Sequence, residues 1–566
     1  METLICGLKL THDGCLAVVS EDELLFSIEA EKIDNRPRYS SLNTVTDLSA
    51  VLGANGIAPG DLTAIAVDGW FRQDGESQVT LVNGTGRTDR LEVAEYHDEP
   101  GSDVSPLTGI EGEADFFDLG GSSFRSYTHT TGHALSAYCS SPYAAADEPS
   151  LVVVWDGGTM PCLYHFSPTA PALSALRRLT PVMGLLYPIF ATHLEPFTPS
   201  AGTFTQSSRE RETMLLSVSG KAMAYAALDE PSPELIAVMA RTTQSVPPSD
   251  PVGMHRWTRK VLGSPAAAGL SDAALMASFE EYLGQTLLQS LAEFLRNEPR
   301  YRGLPLCFAG GSALNIKWNA LLRESGLFAG VWVPPFPNDA GSAIGTACAE
   351  MIRSTGRSAL RWSAFAGPAL PTEAPIPEGW HAEPCSVPEL AALLADSGEP
   401  VVVLSGRAEV GPRALGHRSI IAPATSPQMQ DRLNKLKKRE PYRPVAPICL
   451  EDRAPEFFAP GTRDPYMLFD HEVRPEWRDR LPAIVHVDGS ARLQTVGPDN
   501  QVMFDLLTAY AERTGVPVLC NTSANFEGSG FFPDVASAVR WGRTRFVWSE
   551  GTLFSRNSDS ASEAAP

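Results

Sequence analysis

Two stretches decide how this chain is read: Leu151–Thr159, LVVVWDGGT, and Phe308–Asn319, FAGGSALNIKWN. Each starts as a short apolar run of the kind that forms a strand buried on both faces. Each then ends in paired glycines, which let a backbone come close to a nucleotide, and the second runs into a helical pattern whose first amides favour an anion. Gly310, Gly311 and Asn315 are the candidates for that contact. A third stretch, Pro334–Ala347, PPFPNDAGSAIGTA, sets Asp339 just before a glycine-rich helix start, as LVVVWDGGT sets Asp156 just after a strand. Any one of these reads as an ordinary strand-to-helix turn; their recurrence suggests two related halves.

Working outward, Leu4–Lys9, Cys15–Val19 and Glu23–Ile28 read as a β-meander, followed by a helix near Leu42–Leu52 and a strand at Leu62–Val67. Alternation returns with strand Leu151–Trp155, helix Asp272–Phe294, strand Pro305–Ala309 and helices Leu314–Arg323 and Gly341–Ile352. This is the mixed order of an α/β domain, placed at 1–355. The stretch from about Ser354 to Trp380 is rich in Pro, Gly, Ser and Ala, which puts a linker at 356–380. A second α/β domain, 381–555, is expected from strand-like runs at Pro400–Leu404, Arg443–Cys449, Ala483–Val487 and Val516–Leu519. The small polar tail 556–566 is expected to be disordered.

Composition narrows the function. The 566 residues are 43% apolar and 20% charged, as in folded globular proteins. Lys plus Arg number 45 against 67 Asp plus Glu, and a formal net charge of −22 offers no general attraction for nucleic acid or anionic lipid. Nine scattered cysteines with no C-x-x-C pair argue for reduced thiols in a cytoplasmic protein. No export signal and no membrane span is expected.

His129 and His133, in HTTGH, are four residues apart in a segment, Ser126–Ser140, that can be helical. Both imidazoles can then project from one face toward one metal ion. That spacing alone is more often two ordinary helix histidines; Asp156 and Asp339 change the balance. In the second domain, Gly406–Ile420, GRAEVGPRALGHRSI, carries Arg407, Arg413 and Arg418 on a constrained loop. KKREPYRPVAP adds Lys437, Arg439 and Arg443, HVDGSARLQTV adds Arg492 and Gln494, and CNTSANFEG adds Asn521 and Ser523. Several arginine-bearing loops in so acidic a chain point to a local pocket for a small polyanion.

In order along the chain, AGGSALN, GPRALGHRS, the pattern at Lys437–Pro447 and HVDGSARLQTV resemble the nodulation-protein-U and cephem O-carbamoyltransferase family, from Gly7 to about Phe532. The opening GLKLTHDG and EAEK…RPRYS look closest to the branch that carbamoylates a hydroxymethyl cephem. The resemblance implies an actin-like ATPase, tRNA-threonylcarbamoyl-transferase-like domain at the N-terminus and a YrdC-like domain at the C-terminus. It further implies that carbamoyl phosphate and ATP, with Mg, give carbamoyl-adenylate in the second domain. The first domain would then pass the carbamoyl group to a hydroxyl of a small secondary metabolite, as in antibiotic biosynthesis, through an enclosed passage that protects the fragile intermediate. By the same resemblance His129, His133 and Asp339 are metal ligands with Asp156 beside them, a set suited to Fe(II), favoured by the family, or to Mn or Zn. Lys221, in SGKAMAY, and Gly310, Gly311 and Asn315 would contact nucleotide. His12 and Asp13 match the family's His-Asp pair, with neutral His12 as the base for the acceptor hydroxyl. Arg413, Arg418, Lys437, Arg439, Arg443, Arg492, Asn521 and Ser523 would bind carbamoyl phosphate and ATP, with Lys437 and Arg443 offsetting developing phosphate charge.

Two departures stand out. Ala524 and GSGFF, at Gly528–Phe532, replace the family's aromatic and Gly-Glu-Pro, and Glu195–Glu212 is unlike the family's short connection and is a candidate loop near the acceptor. The rival readings are a tRNA-modifying enzyme, which the acidity opposes, and a nucleotide-binding regulator or sugar kinase, which leaves the arginine loops unexplained. A second copy of the chain is a further candidate partner.

Overall fold

The computed structural model describes residues 3–73, 75–199, 208–371 and 378–556. Residues 200–207 of the candidate acceptor loop lie outside these, as does the tail beyond Arg556, which itself ends a strand. The chain divides into two compact units: Met1–Ala30 with Tyr39–Ser363, and Glu31–Arg38 with Ala364–Pro566.

The first unit contains two sheets of matching plan. In one, Glu23–Glu29, Cys15–Ser20 and Leu4–Lys9 form an antiparallel meander, and Ala64–Asp68 and then Ser122–Tyr127 add in parallel, with Ile110–Ala114 antiparallel at the edge. In the other, Ala172–Arg178, Cys162–Ser167 and Ser150–Val154 make the meander, and Leu306–Ala309 and Val331–Trp332 add in parallel. The repetition expected from the two glycine turns is therefore a repetition of strand order.

One helix from each half packs between them. Ser342–Thr355 lies on the first sheet and His129–Cys139 on the second, and the two helices cross in contact. Glycine makes the crossing close: a Cβ on Gly345 would stand 1.7 Å from the Gly132 carbonyl oxygen. Thr128 caps His129–Cys139, its hydroxyl accepting from the Thr131 amide. Helices Leu186–Ala191, Ser208–Ala226, Pro233–Ser245, Pro251–Leu262 and Asp272–Asn297 fill the excursion between the second meander and Leu306–Ala309. No helix among the described residues is long and apolar enough to cross a membrane.

The second unit is built on an eight-stranded sheet with Val401–Leu404, Arg418–Pro423, Val518–Ser523 and Ala446–Leu450 at its centre. Side chains alternate between its faces. Val401, Val403 and Ile421 pack with helices Val387–Ser397 and Gln501–Thr514, while Val402, Leu404 and Ile420 pack with Met429–Leu436 and Val535–Trp541. The strand expected at Ala483–Val487 is instead a single turn, Pro482–Ile484. Ala483 and Ile484 are buried in the core, Val487 is exposed, and the His486 amide closes a turn onto Ser490. The segment Glu31–Arg38 joins this unit: the Arg38 amide donates to the Gly528 carbonyl, and the Lys32 ammonium donates to the Glu409 and Gly411 carbonyls at 2.7 and 2.6 Å.

Candidate functional site

In the first unit the helix crossing carries His129 and His133 to the loop that holds Asp339, and the end of strand Ser150–Val154 delivers Asp156. One ligand atom from each of these four buried residues falls within 4.8 Å of the others. The two Nε2 atoms face each other at 3.1 Å, and Asp339 Oδ1 is 3.5 Å from both. His129 Nδ1 lies 2.7 Å from Asp68 Oδ2, so the carboxylate accepts a hydrogen bond from Nδ1–H and turns Nε2 inward. Asp156 Oδ2 accepts from the Tyr96 hydroxyl at 2.6 Å and Oδ1 from the Gly311 amide at 2.7 Å. Lone pairs aimed at one point suit a cation, and two nitrogens with carboxylate oxygens suit a divalent transition metal.

The carboxylates dominate the electrostatics of this cluster. Burial works against charge on His129, yet Asp68 and Asp339 outweigh it and push the imidazole up to about 10. Burial likewise opposes ionisation of Asp339, but Lys9, His129 and His12 hold it well below the usual carboxylate range. His12 Nε2 is 3.1 Å from Asp339 Oδ2, and the ring meets Trp70 edge-on at 5.3 Å. Burial lowers the proton affinity of His12, and Asp339 more than restores it, so the ring is a stronger base than the free imidazole. Asp13 occupies the hairpin turn at φ 50° and its Oδ2 accepts from Asn338 Nδ2 at 3.4 Å, beside Asp339.

The glycine pair is part of this cluster. Gly310 sits at φ 89°, where a Cβ would be 2.4 Å from the Trp155 carbonyl oxygen, so only glycine lets the two strand ends close on each other. Asn315 is used locally: Oδ1 caps helix Ile316–Glu324 by accepting from the Lys317 and Trp318 amides, and Nδ2 donates to Glu280. Burial raises the Glu280 carboxyl despite hydrogen bonds from Tyr187 and Asn315. Lys221 is half-buried on Ser208–Ala226, which packs on Asp272–Asn297.

In the second unit the structure gathers cations. Burial, then Arg492, Arg443 and Arg38, push Arg413 well below its ordinary value; burial, then Arg443, Arg492 and Arg38, do the same to Arg439. Burial and Arg443 bring Arg492 down to about 10. Arg413, Arg439, Arg443, Arg492 and Arg38 thus share one field, a concentration of positive charge that calls for an anion. Lys437 belongs to that field but is tied down: its ammonium donates to the Ser523 carbonyl at 2.7 Å, the Asn525 carbonyl at 3.2 Å and Asn525 Oδ1. Ser523 Oγ donates to Asn525 Oδ1 at 2.7 Å, and Arg439 reaches Thr522 Oγ1. Asn521 Nδ2 donates to the Ala414 carbonyl and to Gln494 Oε1, holding the loop that presents Arg413.

Arg418 is not brought into the cluster. It is fully buried, and its guanidinium donates to the Ser405, Gly406, His417 and Pro368 carbonyls, so its donors serve the loop rather than a ligand. Conversely, sequence reasoning passed over Lys9, Asp68 and Tyr96 in the first unit and Arg38 in the second. A charged residue ending the apolar strand LICGLK was the available signal for Lys9; Arg38 had none, because its partners lie far along the chain.

Comparison with known proteins gives the class of these two α/β units, one carrying a His–Asp cluster and the other a cluster of cations. Residues 4–98 and 117–348 match the carbamoyltransferase N-terminus, and residues 391–546 the carbamoyltransferase C-terminus. Nodulation protein U of Sinorhizobium fredii (strain NBRC 101917 / NGR234) is 43% identical over 578 residues, 98% of this chain and 100% of that protein. The 3'-hydroxymethylcephem-O-carbamoyltransferase of Streptomyces clavuligerus is 34% identical over 548 residues, 95% of this chain and 96% of its own. The enzyme of the same name from Amycolatopsis lactamdurans is 34% identical over 557 residues, 96% of this chain and 97% of its own. The chain belongs to the carbamoyltransferase family and is an enzyme. Of these relatives the nodulation protein shares the higher identity, so the leaning of the opening residues toward the cephem branch gains no support. Full-length HypF in its phosphate- and nucleotide-bound form aligns at a TM-score of 0.30 and 12% identity, over 64% of this chain and 56% of its own, a likeness that carries no argument.

Proposed function

We propose that the protein is an ATP-dependent O-carbamoyltransferase with two active centres. In this reading the cationic pocket of the second, YrdC-like unit takes carbamoyl phosphate and ATP. It hydrolyses carbamoyl phosphate with one water to carbamate and phosphate, and the carbamate oxygen then attacks the α-phosphorus of ATP, giving carbamoyl-adenylate and releasing pyrophosphate. The first unit, actin-like and of the tRNA-threonylcarbamoyl-transferase type, receives the adenylate at the His–Asp cluster and passes the carbamoyl group to a hydroxyl of a small metabolite. A hydroxymethyl cephem is one acceptor of that kind, and it is the one named for two of the relatives.

The observation that carries the proposal is the convergence of His129, His133, Asp156 and Asp339 beside His12. His12 takes the acceptor proton as the oxygen attacks the carbamoyl carbon, the bond from that carbon to the phosphate oxygen breaks, and AMP leaves. Asp339 orients the ring that does so, as a carboxylate orients the base in other nucleophile–base pairs. Asp13 fixes the turn that carries His12. Asp156 holds the Gly311 amide, which places the Gly310–Gly311 backbone against the adenylate. A divalent Fe(II), Mn or Zn ion held by the two histidines and the aspartates would supply Lewis acidity toward the adenylate phosphate. In the second unit Arg413, Arg439, Arg443, Arg492 and Arg38 offset phosphate charge, with Mg accompanying ATP, while Lys437 and Asn521 keep the surrounding loops in place.

The test is product analysis with carbamoyl phosphate, ATP and a panel of hydroxylated metabolites. AMP and pyrophosphate, with one carbamoyl group gained by an acceptor, support the reading. ADP would indicate a kinase, and tight tRNA binding with tRNA-dependent AMP release would indicate an RNA-modifying enzyme; either would overturn it.

A further inference from the structure

The strand Leu4–Lys9 is apolar until its last residue, and there Lys9 is wholly buried. Burying an ammonium is costly unless it is paired, and even a well-made buried ion pair gives little net stability over an apolar one. Stability is therefore a poor reason for a lysine at this position, and its contacts suggest a better one. The backbone brings it in: a Cβ on Gly7 would stand 1.9 Å from the Ala343 carbonyl oxygen, so the strand lies flush against the helix that follows Asp339. Lys9 Nζ is then 3.2 Å from Asp68 Oδ2 and 3.1 Å from Asp339 Oδ2, donates to Thr11 Oγ1 at 2.8 Å, and lies 4.3 Å from the centroid of Trp70.

The two carboxylates it joins have different tasks. Asp68 Oδ2 accepts a hydrogen bond from His129 Nδ1–H and so fixes that ring, while Asp339 directs Oδ1 at both imidazoles and keeps Oδ2 for Lys9 and His12. We propose that Lys9 is a positioning residue of the metal centre: by holding Asp68 Oδ2 and Asp339 Oδ2 together, it sets the His129 ring and leaves a single oxygen of Asp339 for the ion. The inference rests on the metal reading given above.

The full-length protein, stripped with chelator, is titrated with Zn²⁺ alone against a chromophoric chelator, well below its melting temperature. Replacing a partner that orients a ligand typically weakens metal affinity about 10–100-fold, and Lys9→Met is expected to do so. Because that variant leaves two carboxylates without their ammonium, Asp68→Asn is compared with Asp68→Asn combined with Lys9→Met, which removes one charge of each sign. The combined variant is expected to bind Zn²⁺ about ten-fold more weakly than Asp68→Asn, since Asp339 loses its tether. Zn²⁺ binding by Lys9→Met as tight as or tighter than that of the unaltered protein would overturn the inference, because a lysine that only fills space or repels the ion gives that result. Equal affinities in the Asp68→Asn pair would also overturn it. Failure of the unaltered protein to take up Zn²⁺ would bring down the metal reading, and this inference with it.

Discussion

Arg492→Met should make the second unit more stable and less able to recognise its anion. Burial first, then Arg443, bring the Arg492 guanidinium from its ordinary value down to about 10, with Asp464 opposing, and Nε has no hydrogen-bond partner among the described residues. A cation whose proton is held more weakly in the folded than in the unfolded chain weakens the fold wherever it is charged, which is everywhere below about 10. That loss is relieved only as pH rises through that value. At ~1.4 kcal/mol per pH unit, the charge weakens the unit by at most about 3.5 kcal/mol. Methionine keeps much of the packing of the arginine stem, so a net gain of about 1–2 kcal/mol is expected, or roughly 2–8 °C in Tm. The assay is thermal unfolding at neutral pH with and without ATP or pyrophosphate. For the unaltered protein an anion at a hundred times its Kd should add about 2.7 kcal/mol, and the variant should lose most of that increment. A lower Tm for Arg492→Met without anions, together with full stabilisation by ATP, would refute the idea that this cluster is strained for the sake of a phosphate ligand.

Further outcomes follow from the same geometry. His129→Ala or His133→Ala should strip bound metal, read by elemental analysis of the purified protein, because each removes one of two facing nitrogens. Arg443→Ala should abolish pyrophosphate release, whereas His12→Ala should retain it and slow acceptor carbamoylation by about 10²–10⁴-fold. Carbamoyl-adenylate supplied directly should then rescue Arg443→Ala and not His12→Ala. Gly345→Ala should destabilise the first unit by several kcal/mol, seen as a large drop in Tm, because its Cβ would stand 1.7 Å from the Gly132 carbonyl oxygen with backbone on both sides.

What the sequence made legible is what depends on local pattern. The opening strand is found at Leu4–Lys9 as read, and the helix read as Asp272–Phe294 begins at Asp272 because Ser271 caps it. His129 and His133 do share a helix face, and the carboxylates do arrive from strand and loop ends. The reading failed where tertiary context decides. Ala483–Val487 has the composition of a strand but closes as a turn at Pro482–Ile484 and another from His486 to Ser490. Arg418 looked like a ligand-binding arginine because charge is visible in a sequence and burial is not; in the fold, four carbonyls claim it. Asp68 and Arg38 act through partners distant in sequence, and a pairing of that kind leaves no trace in periodicity or spacing.

The assignment of Glu31–Arg38 to the second unit has a consequence for how the chain is made and how it can be cut. A C-terminal fragment starting near Ala364 would lack Lys32, whose ammonium ties together the Glu409 and Gly411 carbonyls, and Arg38, one of the cations of the pocket. Such a fragment is therefore expected to fold poorly by itself and to recover when a peptide spanning 31–38 is added or fused to it. During synthesis the same segment emerges early and has to wait for partners beyond Ala364; at about 5–20 residues per second that delay is of the order of tens of seconds. In the interval its lysine and arginines stay in water, and an early piece of chain has to return to a unit made late.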